Sequence, residues 1–174
     1  MTDAHHGPIP DAYWADDGVL AGPHPTARAA DRDEARAAVR ALLDAGVRTV
    51  IDLRTPMEPP SIRALLDKLG GDDAVFIAVP ILDGAAPTRA QMVAILDAID
   101  AARARGRGVY FHCQGGRGRT GTVAACFWVR HGRFEAEEAL AELARRRAGL
   151  LHGAHPSPET GPQLRLVRSW RRGA

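Results

Sequence analysis

The residues whose types and spacing could carry out a reaction are concentrated in residues 109–122, which read VYFHCQGGRGRTGT. A short apolar strand delivers His112 and Cys113 into a glycine-rich loop, and an apolar run with helical character follows that loop. Glycines let successive backbone N–H groups turn toward a bound anion, and the N-terminus of the next helix adds the positive end of its dipole. The stretch therefore predicts a loop that binds a phosphate group and presents a nucleophile at its mouth.

Each polar residue of this loop has a predicted task. Cys113 is the candidate nucleophile, because cysteine thiolates are favoured beside helix N-termini and guanidinium groups. Arg119 has a planar fork that can hold two phosphoryl oxygens and follow the charge as the group transfers. Thr120 is predicted to donate its hydroxyl to the sulfur when the sulfur leaves, and His112 is predicted to hold the local backbone. The residues expected to contact the phosphate are Gln114, Gly115, Gly116, Arg117 and Gly118.

The sequence HCQGGRGRTG resembles the signature of the cysteine-dependent protein tyrosine phosphatase superfamily, in which His-Cys is followed by five residues, Arg, and Ser or Thr. It includes the glycines usual in the dual-specificity branch, and the strand near Val19 is similar to the opening strand of bacterial members. The resemblance implies a phosphatase that forms a phosphocysteine intermediate on Cys113. The alternative is a buried structural thiol in an ordinary strand-to-helix turn, which leaves Arg117 and Arg119 unexplained.

A carboxylate in a second loop is the candidate proton donor. Asp83 lies in residues 79–91, between a predicted strand and a helix that Thr88 and Gln91 begin with capping-box spacing. If the sheet is parallel, this loop opens at the same edge as the cysteine loop. An acid that protonates the leaving oxygen contributes roughly 10²–10⁴ in rate, and the resemblance implies an acid about this far upstream. Asp52 is the second candidate, although bonding within its own loop is its simpler role, and a solvated Asp-Gly turn is the alternative for Asp83.

The whole chain alternates strand and helix patterns, which predicts an α/β fold with a small, mainly parallel sheet flanked by helices. The predicted strands lie near residues 19–20 and over residues 47–53, 74–79 and 109–112. The predicted helices cover residues 31–46, 61–69, 88–99, 120–131 and 134–148, and a last helix has Ser157 as its N-cap and Pro158 at its first position.

Two residues outside the loops also have expected roles. Gln163 in the last helix resembles the glutamine with which tyrosine phosphatases help to place the hydrolytic water, and an exposed helix residue is the alternative. Cys126 falls in an apolar helix and is expected in the core, although some members of the superfamily pair a second cysteine with the nucleophile.

Length and composition limit the remaining possibilities. The 174 residues suit one domain, with residues 1–12 as a loose N-terminal arm. A net charge of +2 leaves no polybasic tail for nucleic acid or a membrane. The two cysteines, the lack of a signal-peptide pattern and the short uncharged runs predict a soluble, cytoplasmic protein without a stable membrane anchor. A monomer is expected, with no metal and no cofactor.

Phosphotyrosine proteins are the expected substrates and partners, with phosphoserine and phosphothreonine accepted if the pocket is shallow. Arg117 leaves a phosphoinositide or an inositol polyphosphate as the alternative, because related lipid enzymes carry an extra basic residue at this loop position. The neutral Gln114 argues against the lipid. Two other classes also stay open: a non-catalytic phosphate-binding module, and a sulfurtransferase, which has no need of Arg119 or of an acid loop.

Overall fold

A five-stranded sheet forms the centre of the protein in the computed structural model, which describes residues 5–174. The strands are β1 (Tyr13–Asp16), β2 (Val19–Gly22), β3 (Val47–Asp52), β4 (Val75–Ala78) and β5 (Gly108–His112). Their order across the sheet is β1-β2-β5-β3-β4, with β1 antiparallel to β2 and the other pairs parallel. The predicted α/β class and mainly parallel sheet are confirmed.

Helices cover both faces of this sheet. They are α1 (Arg32–Asp44), α2 (Arg63–Gly70), α3 (Arg89–Ala104), α4 (Gly118–Arg130), α5 (Ala136–Arg147) and α6 (Gly161–Ser169). Along β5, Val109 and Phe111 pack with the core of α3 to α6, whereas Tyr110 between them packs with the core of α1 and α2. Because successive side chains of a strand point to opposite faces, a strand that is apolar throughout needs a helical layer on each side.

The register of the parallel strands brings three loops together at one edge of the sheet. Asp52 at the end of β3 pairs with His112 at the end of β5. Beyond the strands, the Leu53 N–H donates to the His112 carbonyl (2.9 Å) and the Ile81 N–H donates to the Leu53 carbonyl (3.0 Å). The loops that carry Cys113, residues 53–62 and Asp83 therefore leave the sheet side by side, which is where ligands bind in open α/β sheets.

Residues 5–12, which were expected to belong to a loose arm, lie against β1, and residues 1–4 lie outside the described part of the chain. β1, which the sequence pattern did not predict, pairs with this segment. The Trp14 N–H donates to the His5 carbonyl and the Gly7 N–H donates to the Ala12 carbonyl, both at 2.8 Å. Ile9 is buried among these contacts. Two buried apolar side chains, those of Ile9 and Ala12, and a few backbone hydrogen bonds hold the segment in place, and so short a pattern does not show as periodicity in the sequence.

The last helix begins later than predicted. Thr160, and not Ser157, caps α6, and Thr160 and Gln163 form a capping box. The Ser157 hydroxyl instead donates to the carbonyl of Arg117 (2.8 Å). The turn before α6 is thereby attached to the cysteine loop.

Candidate active site

Cys113 follows β5 directly and its side chain is buried at the N-terminal end of α4. Its backbone N–H donates to Oγ1 of Thr120 (2.9 Å). The same hydroxyl lies 3.1 Å from the Cys113 sulfur and 3.2 Å from the Gly22 carbonyl, so its single hydrogen can be given to either. The structure thus brings Cys113 and Thr120 together, and the predicted role of the hydroxyl as a donor to the sulfur stays a prediction.

The glycines let the loop fold tightly against the end of β2. Gly116 has a φ of +69°, and a Cβ there would lie 2.5 Å from the Pro23 nitrogen. A Cβ on Gly118 would lie 2.5 Å from Oε2 of Glu159, whereas one on Gly115 would meet nothing closer than 3.8 Å. Gly116 is therefore required by the backbone itself, because a side chain has no room and the φ is unfavourable for other residues.

Arg119 is buried and binds three carbonyl or carboxylate groups. Its Nη1 donates to Oε1 of Glu58 (2.7 Å) and to the Ile81 carbonyl (3.0 Å), and its Nη2 donates to Oε2 of Glu58 (2.9 Å). Nη2 also forms an ion pair with Oδ1 of Asp83 (2.9 Å). The buried Nε has no hydrogen-bond partner. The fork is therefore fixed in one orientation, with one buried donor unused.

Glu58 is a member of this site that sequence reasoning missed. Hydrogen bonds from Arg119 hold its pKa below the usual range, against the opposing effect of burial. Burial alone lowers the pKa of Arg119, but the hydrogen bond and charge of Glu58 raise it. The available signal was position, because Glu58 is the one acidic residue in the proline-rich loop TPMEPP, which follows a strand that ends at the cysteine edge.

Asp83 is brought to the mouth of the loop, with its side chain 80% exposed. Its own loop is tied to α6, because the Thr160 hydroxyl donates to the Gly84 carbonyl (2.9 Å) and Nε2 of Gln163 donates to the Ala85 carbonyl (3.1 Å). At the other end, Nε2 of Gln91 in α3 donates to the Pro80 carbonyl (2.9 Å). The carboxylate is thus exposed on a loop whose backbone is held on both sides.

Gln163 is fully buried, contrary to the exposed alternative. Its Oε1 accepts from the N–H groups of Glu159 (2.9 Å) and Thr160 (3.2 Å), and its amide nitrogen is bound to the acid loop as described above. These contacts join the start of α6 to the loop of Asp83. The water-placing role that the resemblance implied stays a prediction.

Asp52, the second candidate acid, is bound to Arg54. Arg54 donates to it through the backbone N–H (2.9 Å), Nε (3.0 Å) and Nη2 (2.9 Å). Burial raises the pKa of Asp52, but these hydrogen bonds outweigh it and the pKa is lowered. Arg54 also donates to Oε1 of Gln114 (3.0 Å). Asp52 therefore positions Arg54, which in turn holds a side chain of the cysteine loop.

His112 lies beneath the loop and is fully buried. Its Nδ1 lies 3.1 Å from the Cys113 carbonyl, and because a carbonyl only accepts, Nδ1 carries the hydrogen. Burial lowers the pKa of His112 to about 4, so the ring is neutral near pH 7. This contact fits the predicted task of holding the cysteine backbone, which stays a prediction.

The last loop side chain, Arg117, forms an ion pair with Glu159 (2.7 Å). Cys126 lies in the core within α4 as a free thiol, and burial raises its pKa. Within residues 5–174, none of the helices has the length and apolar character needed to cross a membrane.

Residues 25–174 match a family model described as PTP-SAK, Swiss Army Knife protein, DSP-PTPase phosphatase domain. The chain is 30% identical over 148 residues to the dual specificity protein phosphatase CDC14C of Symphalangus syndactylus. The aligned region covers 83% of this chain and 28% of that protein. The chain thus spans well under half the length of this curated relative.

Solved structures show the same fold. Tk-PTP in its active form superposes with a TM-score of 0.73 and 28% identity, covering 91% of this chain and 95% of that chain. PTPMT1 in complex with PI(5)P gives a TM-score of 0.67 at 22% identity, covering 91% and 92%. These structures share the fold, and the family model over residues 25–174 shows that the chain belongs to the dual-specificity-like branch of the cysteine-dependent protein tyrosine phosphatase superfamily.

Proposed function

We propose that this protein hydrolyses phosphomonoesters of phosphotyrosine proteins through a cysteinyl-phosphate intermediate on Cys113. The observation that carries the proposal is the convergence of four groups at the cysteine loop. The Cys113 sulfur has a hydroxyl donor in Thr120 at 3.1 Å, and Arg119 pairs with Asp83 at 2.9 Å above it. A nucleophile, a leaving-group donor, a phosphate-binding fork and an acid are the parts that phosphoryl transfer requires.

In the first step the Cys113 thiolate attacks phosphorus and forms a P–S bond. The bond from phosphorus to the ester oxygen breaks, and its electron pair leaves on that oxygen, which takes a proton from protonated Asp83. Backbone N–H groups of the loop and the Arg119 fork bind the equatorial oxygens, where charge is spread in the transition state. Phosphate-binding loops at helix N-termini supply this field without reorganisation.

In the second step a water molecule attacks the phosphorus of the phosphocysteine and gives its proton to the Asp83 carboxylate. The P–S bond breaks, and its electrons return to sulfur. The Thr120 hydroxyl stabilises the leaving thiolate by donating to it, which is why its 3.1 Å contact matters. Inorganic phosphate is released, and the enzyme regains its protonated acid and thiolate.

The choice of phosphotyrosine proteins rests on the surroundings of the loop. Gln114 is neutral and held by Arg54, and the guanidinium of Arg117 is paired with a carboxylate, so neither presents an unpaired charge to a lipid headgroup. The solved PTPMT1 complex contains PI(5)P, and a phosphoinositide is therefore kept as the second candidate substrate. Both cysteines are free thiols, and because a thiolate nucleophile needs a reducing compartment, the proposal places the enzyme in the cytoplasm.

The experiment is the hydrolysis of a small aryl phosphate by the native chain, by Cys113→Ala and by Cys126→Ala. The two variants make the same chemical change. Cys113 lies in the loop before α4, whereas Cys126 lies in the core within α4. We expect no turnover above background with Cys113→Ala and native-like turnover with Cys126→Ala. Binding of a phosphate analogue by a native chain that hydrolyses nothing would refute the enzyme and support a binding module. Transfer of sulfur from thiosulfate to cyanide would support a sulfurtransferase.

The substrate class is tested separately with a phosphotyrosine peptide and with vesicles containing PI(5)P. We expect kcat/KM to be higher for the peptide. A higher value for the vesicles would favour the phosphoinositide while leaving the chemistry of Cys113 intact.

A further inference from the structure

The ion pair between Arg117 and Glu159 occupies one side of the cysteine loop. Nη2 of Arg117 lies 2.7 Å from Oε1 of Glu159, and both side chains are about one third exposed, at 31% and 32%. Arg117 precedes α4, and its Nε lies 3.8 Å from where a Cβ on Gly115 would be, so its guanidinium lies against the loop that is predicted to bind phosphate. Without a partner, a guanidinium in that place would attract a second anionic group of a substrate.

Glu159 is held in position by its own backbone and by the shape of the loop. Its N–H donates to Oε1 of Gln163 (2.9 Å), which is itself buried. Its Oε2 lies only 2.5 Å from where a Cβ on Gly118 would be. The carboxylate therefore lies directly against the loop backbone, and Gly118 leaves the space for it.

The other two arginines of the site are paired in the same way. Arg54 is bound by Asp52, and Arg119 is bound by Glu58. No guanidinium among these three is left to meet a second phosphate. A substrate with two adjacent phosphates would have to break the Arg117 pair and also approach the Glu159 carboxylate, and unpaired or repelled charges of this kind are how a site rejects an unwanted ligand.

We propose that Glu159 is a specificity-determining residue, which restricts the site to singly phosphorylated ligands by neutralising Arg117 and by repelling a second phosphate. This inference rests on the proposed function, because it assumes that the loop binds a phosphate. The inferred substrates are molecules in which the phosphate that is bound has no second phosphate adjacent to it.

The test compares the binding of an inositol monophosphate with that of an inositol carrying two adjacent phosphates, by calorimetry. The native chain should bind the monophosphate more tightly than the bisphosphate. Glu159→Gln keeps the shape and the backbone hydrogen bond but removes the charge, and should raise the preference for the bisphosphate by about five- to tenfold. The double variant Arg117→Gln/Glu159→Gln should show a smaller gain, because it lacks the repelling carboxylate but has no freed guanidinium to bind the second phosphate.

Glu137→Gln is the matched control. It makes the same change at another arginine–glutamate pair with the same 2.7 Å separation, formed with Arg168 far from the loop, and it should leave the preference unchanged. An unchanged preference in Glu159→Gln, or no binding of the bisphosphate by that variant, would overturn the inference. The readout here is binding, whereas the proposed function is tested by hydrolysis of aryl phosphate. A chain that binds these ligands but hydrolyses no aryl phosphate would refute the proposed function, and the binding data would still decide the role of Glu159.

Discussion

Nη2 of Arg119 and Oδ1 of Asp83 lie 2.9 Å apart across the mouth of the cysteine loop. Arg119 is also bound by Glu58, whose side chain is only 17% exposed, whereas that of Asp83 is 80% exposed. A phosphoryl group that enters the fork therefore displaces Asp83 more readily than Glu58. In the proposed mechanism, the displaced carboxyl group then lies beside the bound ester and gives a proton to the leaving oxygen.

The first prediction concerns Asp83→Asn. The variant should lower kcat by roughly 10²–10⁴ for esters with poor leaving groups, because an amide cannot supply the proton. The loss should be much smaller for an aryl ester whose phenolate leaves easily, and the basic limb of the pH–rate profile should flatten. Kinetics with a series of aryl phosphates measure this. Asp97→Asn, the same change at an ion pair with Arg130, is the control. An equal loss for every leaving group would contradict the role of Asp83 as the acid.

The second prediction concerns Glu58→Gln. The change removes one of the two carboxylate oxygens that orient Arg119. Hydrogen bonds to charged groups are worth about 1.5–3 kcal/mol, so we expect kcat/KM to fall by roughly ten- to a hundredfold. Glu58→Asp keeps the charge with a shorter side chain and should recover part of the loss. If kcat/KM of Glu58→Gln stays within about twofold of the native value, Glu58 does not position the fork.

The third prediction compares two glycines of the loop. Gly116→Ala should lower the free energy of unfolding by at least about 1–2 kcal/mol, because the residue has a φ of +69° and its Cβ would collide with Pro23. Gly115→Ala should be far less costly, since its nearest neighbour would lie at 3.8 Å. Denaturant unfolding of both variants measures the difference. Equal losses would mean that the loop is not folded against β2 as described.

The fourth prediction concerns stability between pH 6.5 and pH 5. Burial lowers the pKa of His112 from 6.5 to about 4, so the unfolded chain takes up this proton first and stability is lost as pH falls through that range. Each unit of pKa difference corresponds to about 1.4 kcal/mol at full effect. Asp52 and Glu58 have ordinary values of 3.8 and 4.5, and their lowered pKa values matter only at more acidic pH.

The test is the free energy of unfolding of the native chain and of His112→Asn at several pH values. The amide of asparagine can still donate to the Cys113 carbonyl but does not titrate. His24, whose pKa is lowered to about 3 mainly by burial, is present in both proteins. It therefore adds the same pH dependence to the free energy of unfolding of each. The native curve should be the steeper one. Parallel curves would show that His112 does not take up its proton on unfolding in this range.

The sequence predicted best those site residues that lie close together in one continuous segment of the chain. Cys113, Arg119 and Thr120 belong to one strand–loop–helix unit, so their proximity follows from a few consecutive residues. Asp83 was predicted from a longer argument, which needed the parallel sheet to place two loops at the same edge. The structure brings it to Arg119, although the catalytic roles of all four residues stay predictions.

Glu58 and Glu159 were not predicted as members of the site, for a physical reason. Each is bound to an arginine far away in the sequence, and such pairs depend on the folded positions of loops with no periodic pattern. The Ser157 cap failed for a related reason, because Ser157 gives its hydrogen to Arg117 and leaves Thr160 to begin α6. Local sequence propensity describes how a segment folds by itself. Here the tertiary contact between Ser157 and Arg117 decided which residue begins α6.

The most direct test of the cysteinyl-phosphate mechanism is to trap the phosphorylated enzyme. The native chain is mixed rapidly with an aryl phosphate, quenched in acid, digested and examined by mass spectrometry. We expect one phosphoryl group on the peptide that contains Cys113, and none in Cys113→Ala. Hydrolysis without any phosphoryl group on Cys113, or with the group on another residue, would contradict it.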